Sequence, residues 1–224
     1  FVTITKSPLS RKCQQNNLRV VKTPWKLSCR GCHWRNRRAK PMDSLEQRSD
    51  EWFAVRCGKV TASRVSDIIA KTKSGWGASR ANYMAQLIAE RLTGEVADSY
   101  SNSAMQWGID HEQEARTAYE FYENEGVQEI GFVQHNDLES GASPDGLVGK
   151  DGMIEIKCPN TATHIQTLLD QKIPKKYETQ MLWQMECTGR KWCDFVSYDP
   201  RMPENLKLFV KRFERDDERL DEIR

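Results

Sequence analysis

Residues 142–159, ASPDGLVGKDGMIEIKCP, set two carboxylates and an ammonium among otherwise apolar short strands. Side chains of a strand alternate between faces, so Glu155 and Lys157 point the same way, about 6–7 Å apart. Ile154 and Ile156 face the other side and read as core. Pro144-Asp145-Gly146 reads as a turn that presents Asp145, and the following hairpin carries it toward Glu155. Such a group is either a solvated ion pair on a strand face or a cation site. In the second reading, Asp145, Glu155 and the backbone carbonyl of Ile156 form a hard-oxygen set suited to Mg2+. Two ions about 3.5–4 Å apart would stabilise the attacking and leaving oxygens of a phosphoryl transfer. Lys157 beside them would hold or polarise a water.

The elements that must position these residues are readable from period and punctuation. SDEWFAVR predicts a short helix capped by Ser49 or Asp50. TASRVSDIIAK predicts another, with Thr61 or Ser63 near its start and Val65, Ile68 and Ile69 on one face. In SRANYMAQLIAERLTG, Met84, Leu87, Ile88 and Leu92 share a helical face and Gly94 is the stop. A long helix is expected over roughly 102–124, with Trp107, Tyr119, Phe121 and Tyr122 mostly core. The period then changes. VQEIGFVQH and the 142–159 segment read as three short strands, Thr161–Asp170 and Tyr177–Thr188 as helices, KWCDFVSYD and NLKLFVKRF as strands. The last ten residues begin a further helix. This order implies a mixed sheet with helices on both sides.

Charge divides the chain. Residues 1–41 hold eleven Lys or Arg and no acid, which leaves 23 basic against 32 acidic residues in 42–224. The first 41 residues read as a basic leader, disordered or outside the fold, and 42–224 as the domain. Since the leader supplies the whole positive excess, DNA binding by the domain requires local basic clusters or bound cations. Within the leader, Cys29, Cys32 and His33 match a haem-attachment pattern that reads as incidental without an export signal. The seven scattered Cys show no disulfide framework, and no run approaches the roughly 18 apolar residues of a membrane span. A cytoplasmic location is the default. His111, His135 and His164 do not fall at metal-ligand spacing.

Pro-Asp, nine residues, then Glu-x-Lys is the signature of the PD-(D/E)xK nuclease superfamily. EWFAVRCGKVTAS, AMQWGIDHEQEAR, ASPDG, IEIKCP, KKYETQMLWQM and SYDPRM extend the match. From about Asp50 to Asp221 the chain resembles the phage lambda exonuclease family, alkaline 5′-to-3′ exonucleases of phage recombination. The resemblance implies an α/β, restriction-endonuclease-like core, a central mixed β-sheet flanked by helices. It implies digestion of double-stranded DNA to 5′-mononucleotides and a 3′ single strand. Two Mg2+ ions, with Mn2+ able to substitute, would sit on Asp145, Glu155 and the Ile156 carbonyl, with Lys157 serving the nucleophilic water. Glu112 would be a further acid at the metal site and Gln180 a helix residue beside it. Arg56, Ser63 and Ser143 match the family's 5′-phosphate pocket, and Lys73 stands where the family has a basic DNA contact, there an Arg. Partners implied are duplex DNA with 5′-phosphorylated ends, a single-strand annealing protein and two further copies of the chain in a homotrimer ring. The setting implied is a phage or prophage in a bacterial cytoplasm. The family continues past residue 224 with another helix, so a missing C-terminal element is expected.

Three other readings compete. A site- or structure-specific endonuclease of the same fold would cut closed circles. A catalytically silent DNA-binding module is opposed by the intact Asp145, Glu155 and Lys157. Electron transfer through haem at Cys29, Cys32 and His33 would require a Soret band.

Overall fold

The structure is a computed structural model that describes residues 44–96 and 103–224. The basic leader, with Cys29, Cys32 and His33, lies outside the described residues.

Helix α1 (Asp50–Arg56) starts where expected, the Ser49 hydroxyl accepting the Trp52 N–H at 3.2 Å. Strand β1 (Val60–Thr61) leads through a 3-10 turn (Ala62–Arg64) into α2 (Val65–Ile69). Neither Thr61 nor Ser63 caps α2. Thr61 belongs to β1, its N–H donating to the Tyr83 hydroxyl at 3.1 Å, and Ser63 sits inside the 3-10 turn. A hairpin of β2 (Lys71–Thr72) and β3 (Gly75–Trp76) carries Lys73, exposed, at its tip. Helix α3 (Ala78–Thr93) ends at left-handed Gly94, as predicted, but its expected apolar face is turned outward. Met84, Ile88 and Leu92 are 58%, 50% and 77% exposed. What α3 buries instead is Tyr83 and Glu90, and Glu90 accepts the Gly58 N–H at 2.8 Å. Period identifies an amphipathic face, not what covers it.

Helix α4 (Ser103–Glu123) is the predicted long helix. Tyr119 on it is buried, whereas Phe121 and Tyr122 project into solvent, against expectation, because they flank the buried stripe. The strand region divides more finely than predicted, into β4 (Val127–Gln128), β5 (Val133–Gln134), β6 (Ser140–Ala142), β7 (Gly146–Val148) and β8 (Gly152–Lys157). Helices α5 (Thr161–Asp170) and α6 (Lys175–Thr188), strands β9 (Trp192–Tyr198) and β10 (Leu208–Glu214), and α7 (Asp217–Ile223) complete the order.

Five strands form the mixed sheet β10-β9-β8-β7-β4, in which only β8 and β9 run parallel. One face packs Met153, Phe195 and Phe209 against Met181, Leu182 and Met185 of α6, with Leu220 of α7. The other packs Ile154, Ile156 and Val196 against Ala115 and Tyr119 of α4. The alternation expected for Ile154 and Ile156 is therefore what the sheet uses. Beside a smaller sheet, β1-β6-β5, Ala142 of β6 clusters with Ala62 of the 3-10 turn, Val65 of α2 and Trp183 of α6. Burying these apolar faces from both sides contributes most of the driving force for the fold, at roughly 25 cal/mol per Å2 of apolar surface. Because β6 and β7 lie in different sheets, residues 143–145 bridge them.

Gly146 has a different role from the turn residue expected. It opens β7 opposite Ile154, and a Cβ there would lie 2.1 Å from Cγ1 of Val127. The glycine permits close approach of β4, which fixes the strand immediately after Asp145.

Candidate active site

The bridge between the sheets holds Ser143, Pro144 and Asp145. Its carbonyl at Pro144 accepts Gln47 Nε2 at 2.9 Å, and the same amide donates to Ile130 O at 2.8 Å. Asp145 Oδ2 accepts the Ile156 N–H at 2.6 Å, so the bridge is locked to β8. Glu155, one residue earlier on β8, is 1% exposed. Its Oε1 accepts Lys157 Nζ and, at 2.6 Å, Gln180 Nε2, and its Oε2 accepts Gln184 Nε2 at 2.6 Å. Lys157, its side chain 28% exposed, reaches back along the strand face it shares with Glu155.

Electrostatics follow from this packing. Desolvation, then the neighbouring Glu155 charge, push the Asp145 carboxyl well above its ordinary value; Glu112 adds to this, and Lys157 and the Ile156 N–H oppose it. Burial by itself would depress the Lys157 ammonium, but Glu155 and Asp145 outweigh burial and raise it. Lys157 therefore stays cationic at neutral and mildly alkaline pH, which suits a charge that orients a water or phosphate oxygen and not a general base. Burial pushes the neighbouring Cys158 thiol up to about 12, which leaves it unreactive.

Two carboxylates against one ammonium leave this pocket short of positive charge. A half-buried acid that resists ionisation beside a fully buried one is a poor structural element and a good receptor for a divalent cation. The donors on hand, Asp145, Glu155 and the Ile156 carbonyl, are all oxygen and fit Mg2+ chemistry. Glu112 stands differently from expectation. Its Oε2 accepts Arg48 Nη2 at 2.5 Å and its Oε1 accepts Arg116 Nη2 at 3.1 Å. Among the described residues no three acidic, imidazole or thiol groups come together closely enough to hold an ion. Glu112 contributes its field to Asp145 but is engaged by two arginines. Arg48 makes its contact from a left-handed backbone, φ 70°, which is unusual for a non-glycine residue and is held by its partners.

Of the residues expected to bind a 5′-phosphate, Arg56 and Ser143 come together at the start of the bridge. Arg56 Nη1 approaches Ser143 Oγ at 3.5 Å, and the same hydroxyl accepts Trp52 Nε1–H at 3.0 Å. The Arg56 guanidinium stacks 3.6 Å from the Trp52 ring centroid. None of the ion pairs among the described residues includes Arg56, and burial draws its pKa down to about 10, partly offset by Tyr83 and Glu90. With no carboxylate in ion-pair contact, this largely desolvated guanidinium keeps donors to spare for an acceptor. Ser63 is exposed and its hydroxyl lies 3.4 Å from that of Thr61. Because Thr61 pairs in parallel with Gly141, Ser63 and Ser143 each stand two residues beyond the same register point.

His164 is a core residue, its ring nitrogens on Ser197 Oγ and Leu206 O, both at 2.8 Å. Sequence reasoning did not find Gln184, Gln47 or Arg48. The only available signal was the i, i+4 repeat of Gln180 and Gln184, which places both amides on one face of α6.

The chain matches known proteins over this same region. Residues 51–191 match the model of the YqaJ-like viral recombinase domain. An alkaline exonuclease (LHK-Exo) from Laribacter hongkongensis is 53% identical, with 78% of this chain and 87% of that chain covered and a TM-score of 0.72. The structure of LHK-Exo in complex with dAMP gives the same identity and coverage, with a TM-score of 0.73. A phage-related exonuclease from Haemophilus somnus 129PT shares the restriction-endonuclease-like fold at 18% identity, TM-score 0.59, with 74% and 88% of the two chains covered. No curated protein matches. With its mixed central sheet flanked by helices and a family match over most of its length, the chain belongs to the YqaJ-like viral recombinase domain family.

Proposed function

We propose that this chain is a metal-dependent 5′-to-3′ exonuclease of phage recombination that releases 5′-mononucleotides from duplex DNA. One observation carries the reading: a three-residue bridge joins an unpaired arginine pocket to an acidic pair. Ser143 and Asp145 are separated along the chain by no more than about 7 Å, the length of one nucleotide. A terminal 5′-phosphate on Arg56, Ser143 and Ser63 would therefore set the next phosphodiester beside Asp145 and Glu155. On this reading, recognition of the end would also set the length of the product. The related LHK-Exo, seen with dAMP, supports a mononucleotide as the product class.

Asp145, Glu155 and the Ile156 carbonyl would hold Mg2+, with Mn2+ able to substitute. When bound, the ions lower the pKa of water and neutralise charge building on the phosphate. Gln180 and Gln184 hold the Glu155 carboxylate, Lys157 orients the attacking water or a phosphate oxygen with its fixed charge, and Arg56 neutralises the terminal phosphate. Glu112 would reach an ion only by exchanging Arg48. Lys73 at the hairpin tip would contact the DNA backbone. Assembly as a homotrimer ring is supported by the exposed Met84–Ile88–Leu92 stripe of α3, an apolar surface of the kind that marks interfaces. A single-strand annealing protein would receive the 3′ strand. No described helix is long and apolar enough to cross a membrane, and we place the enzyme in the bacterial cytoplasm.

The test is digestion of linear duplex DNA, with and without a 5′-phosphate, beside covalently closed circles, in Mg2+ or chelator. Metal-dependent release of mononucleotides from phosphorylated linear DNA, with circles spared, is expected. Cut circles would assign the protein to the endonuclease branch of the fold.

A further inference from the structure

Glu155 is dressed by three donors, Lys157 and Gln180 on Oε1 and Gln184 on Oε2. A carboxylate offers about four lone-pair sites. Both sites on Oε1 are filled, and one on Oε2 stays open. The donor to Oε2 is the unexpected one. Gln184 is 1% exposed and sits on α6 among Met181, Leu182, Trp183 and Met185. Its own Oε1 is buried and has no hydrogen-bond partner. Turning the amide over does not help, because the oxygen would then face the carboxylate. An unmade hydrogen bond of a buried polar atom is costly, and a methionine of similar length would fill the same space without it. Packing therefore does not account for an amide at this position. The N–H aimed at Glu155 does.

We propose that Gln184 is a positioning residue for the cation site: it anchors Glu155 Oε2 so that the one open lone pair is presented to the ion in a fixed direction. Gln180 and Lys157 fill both lone pairs of Oε1, and Gln184 takes one of the two on Oε2, which sets the direction of the other. The inference rests on the metal role proposed for Glu155.

The experiment titrates Mn2+ into the full chain without DNA by isothermal calorimetry, beside thermal denaturation of each variant. Four proteins are compared: wild type, Gln184→Met, which keeps length but has no donor, Gln184→His, which restores an N–H at similar reach, and Glu155→Gln. Gln184→Met should bind Mn2+ about 10–100-fold more weakly, and Gln184→His should return to within about threefold of wild type. Wild-type affinity in Gln184→Met overturns the inference, and so does an equal loss in Met and His, which would make side-chain shape the cause. If Gln184→Met shows no cooperative melt, Gln184→Asn decides: its shorter amide withdraws the donor, so a loss of about tenfold is expected and unchanged affinity overturns the inference. Absence of Mn2+ binding by wild type, or wild-type binding by Glu155→Gln, would instead defeat the metal reading itself.

Discussion

Gly146→Ala tests how tightly the fold dictates the site, because the added methyl touches nothing that reacts. Its Cβ would lie 2.1 Å from Val127 Cγ1 and 3.5 Å from Ile154 Cγ1. Ordinary carbon contacts are about 3.5–4.0 Å, so β4 and β7 must separate by more than an ångström or Val127 must leave its rotamer. Overpacking of this kind costs about 1–3 kcal/mol, a fall in Tm of about 2–12 °C for a chain of this size. The Cα of Asp145 is only about 3.8 Å from that of Gly146. If half the displacement passes along the backbone, Asp145 moves by about 0.5–1 Å, and misplacement on that scale lowers kcat by about 10–100-fold. Thermal melts and single-turnover digestion of 5′-phosphorylated duplex measure the two effects. Val127→Ala removes the obstructing methyl, so the double variant should recover most of the lost rate although Val127→Ala alone destabilises. Wild-type rate and Tm in Gly146→Ala, or a double variant as slow as the single, would refute the close-approach argument.

Lys157→Ala should retain DNA and Mn2+ binding while turnover falls by about 10²–10³-fold; a defect confined to DNA affinity, measured by fluorescence anisotropy, would remove its catalytic assignment. Arg56→Ala should abolish the preference for phosphorylated ends in a competition digest. Asp145 gives a stability prediction of definite sign. Its folded pKa is raised above 3.8, so chelated protein holds a proton that the unfolded chain has lost, and stability falls as pH climbs from 3.8 through the folded value. Asp145→Asn escapes this, and its Tm advantage over wild type in chelator should widen across that window and shrink in Mg2+. Glu114 and Glu186, lowered in the fold, lose stability as pH falls and affect both proteins alike. A constant difference in Tm would show that the Asp145 carboxyl is not raised in the fold.

How much of this was readable beforehand depended on whether local pattern carried the information. The alternation of Ile154, Glu155, Ile156 and Lys157 decides faces by itself, so the acid–base face and its apolar reverse were visible. Helix bounds at Ser49, Gly94 and Asn160 rest on caps that act within one turn. Non-local facts were not visible. Gly146 looked like a turn residue because its reason is a valine nineteen positions earlier. On α6, Met181 through Met185 are all buried, between two sheets, so Gln184 stood out on no polar face. Met84, Ile88 and Leu92 had helical period, but nothing in a period says whether the covering surface is in the same chain. Glu112 was placed by family likeness alone, which could not reveal that Arg48 and Arg116 hold it.

The central claim is that one bridge sets a terminal phosphate and a cation one nucleotide apart. Anomalous diffraction from crystals of Lys157→Ala with Mn2+ and a 5′-phosphorylated duplex tests it most directly. An anomalous peak is predicted at coordination distance from Asp145, Glu155 and the Ile156 carbonyl, with the terminal phosphate on Arg56 and Ser143. A manganese peak away from Asp145 and Glu155, or a terminal phosphate bound outside the Arg56 pocket, would contradict it.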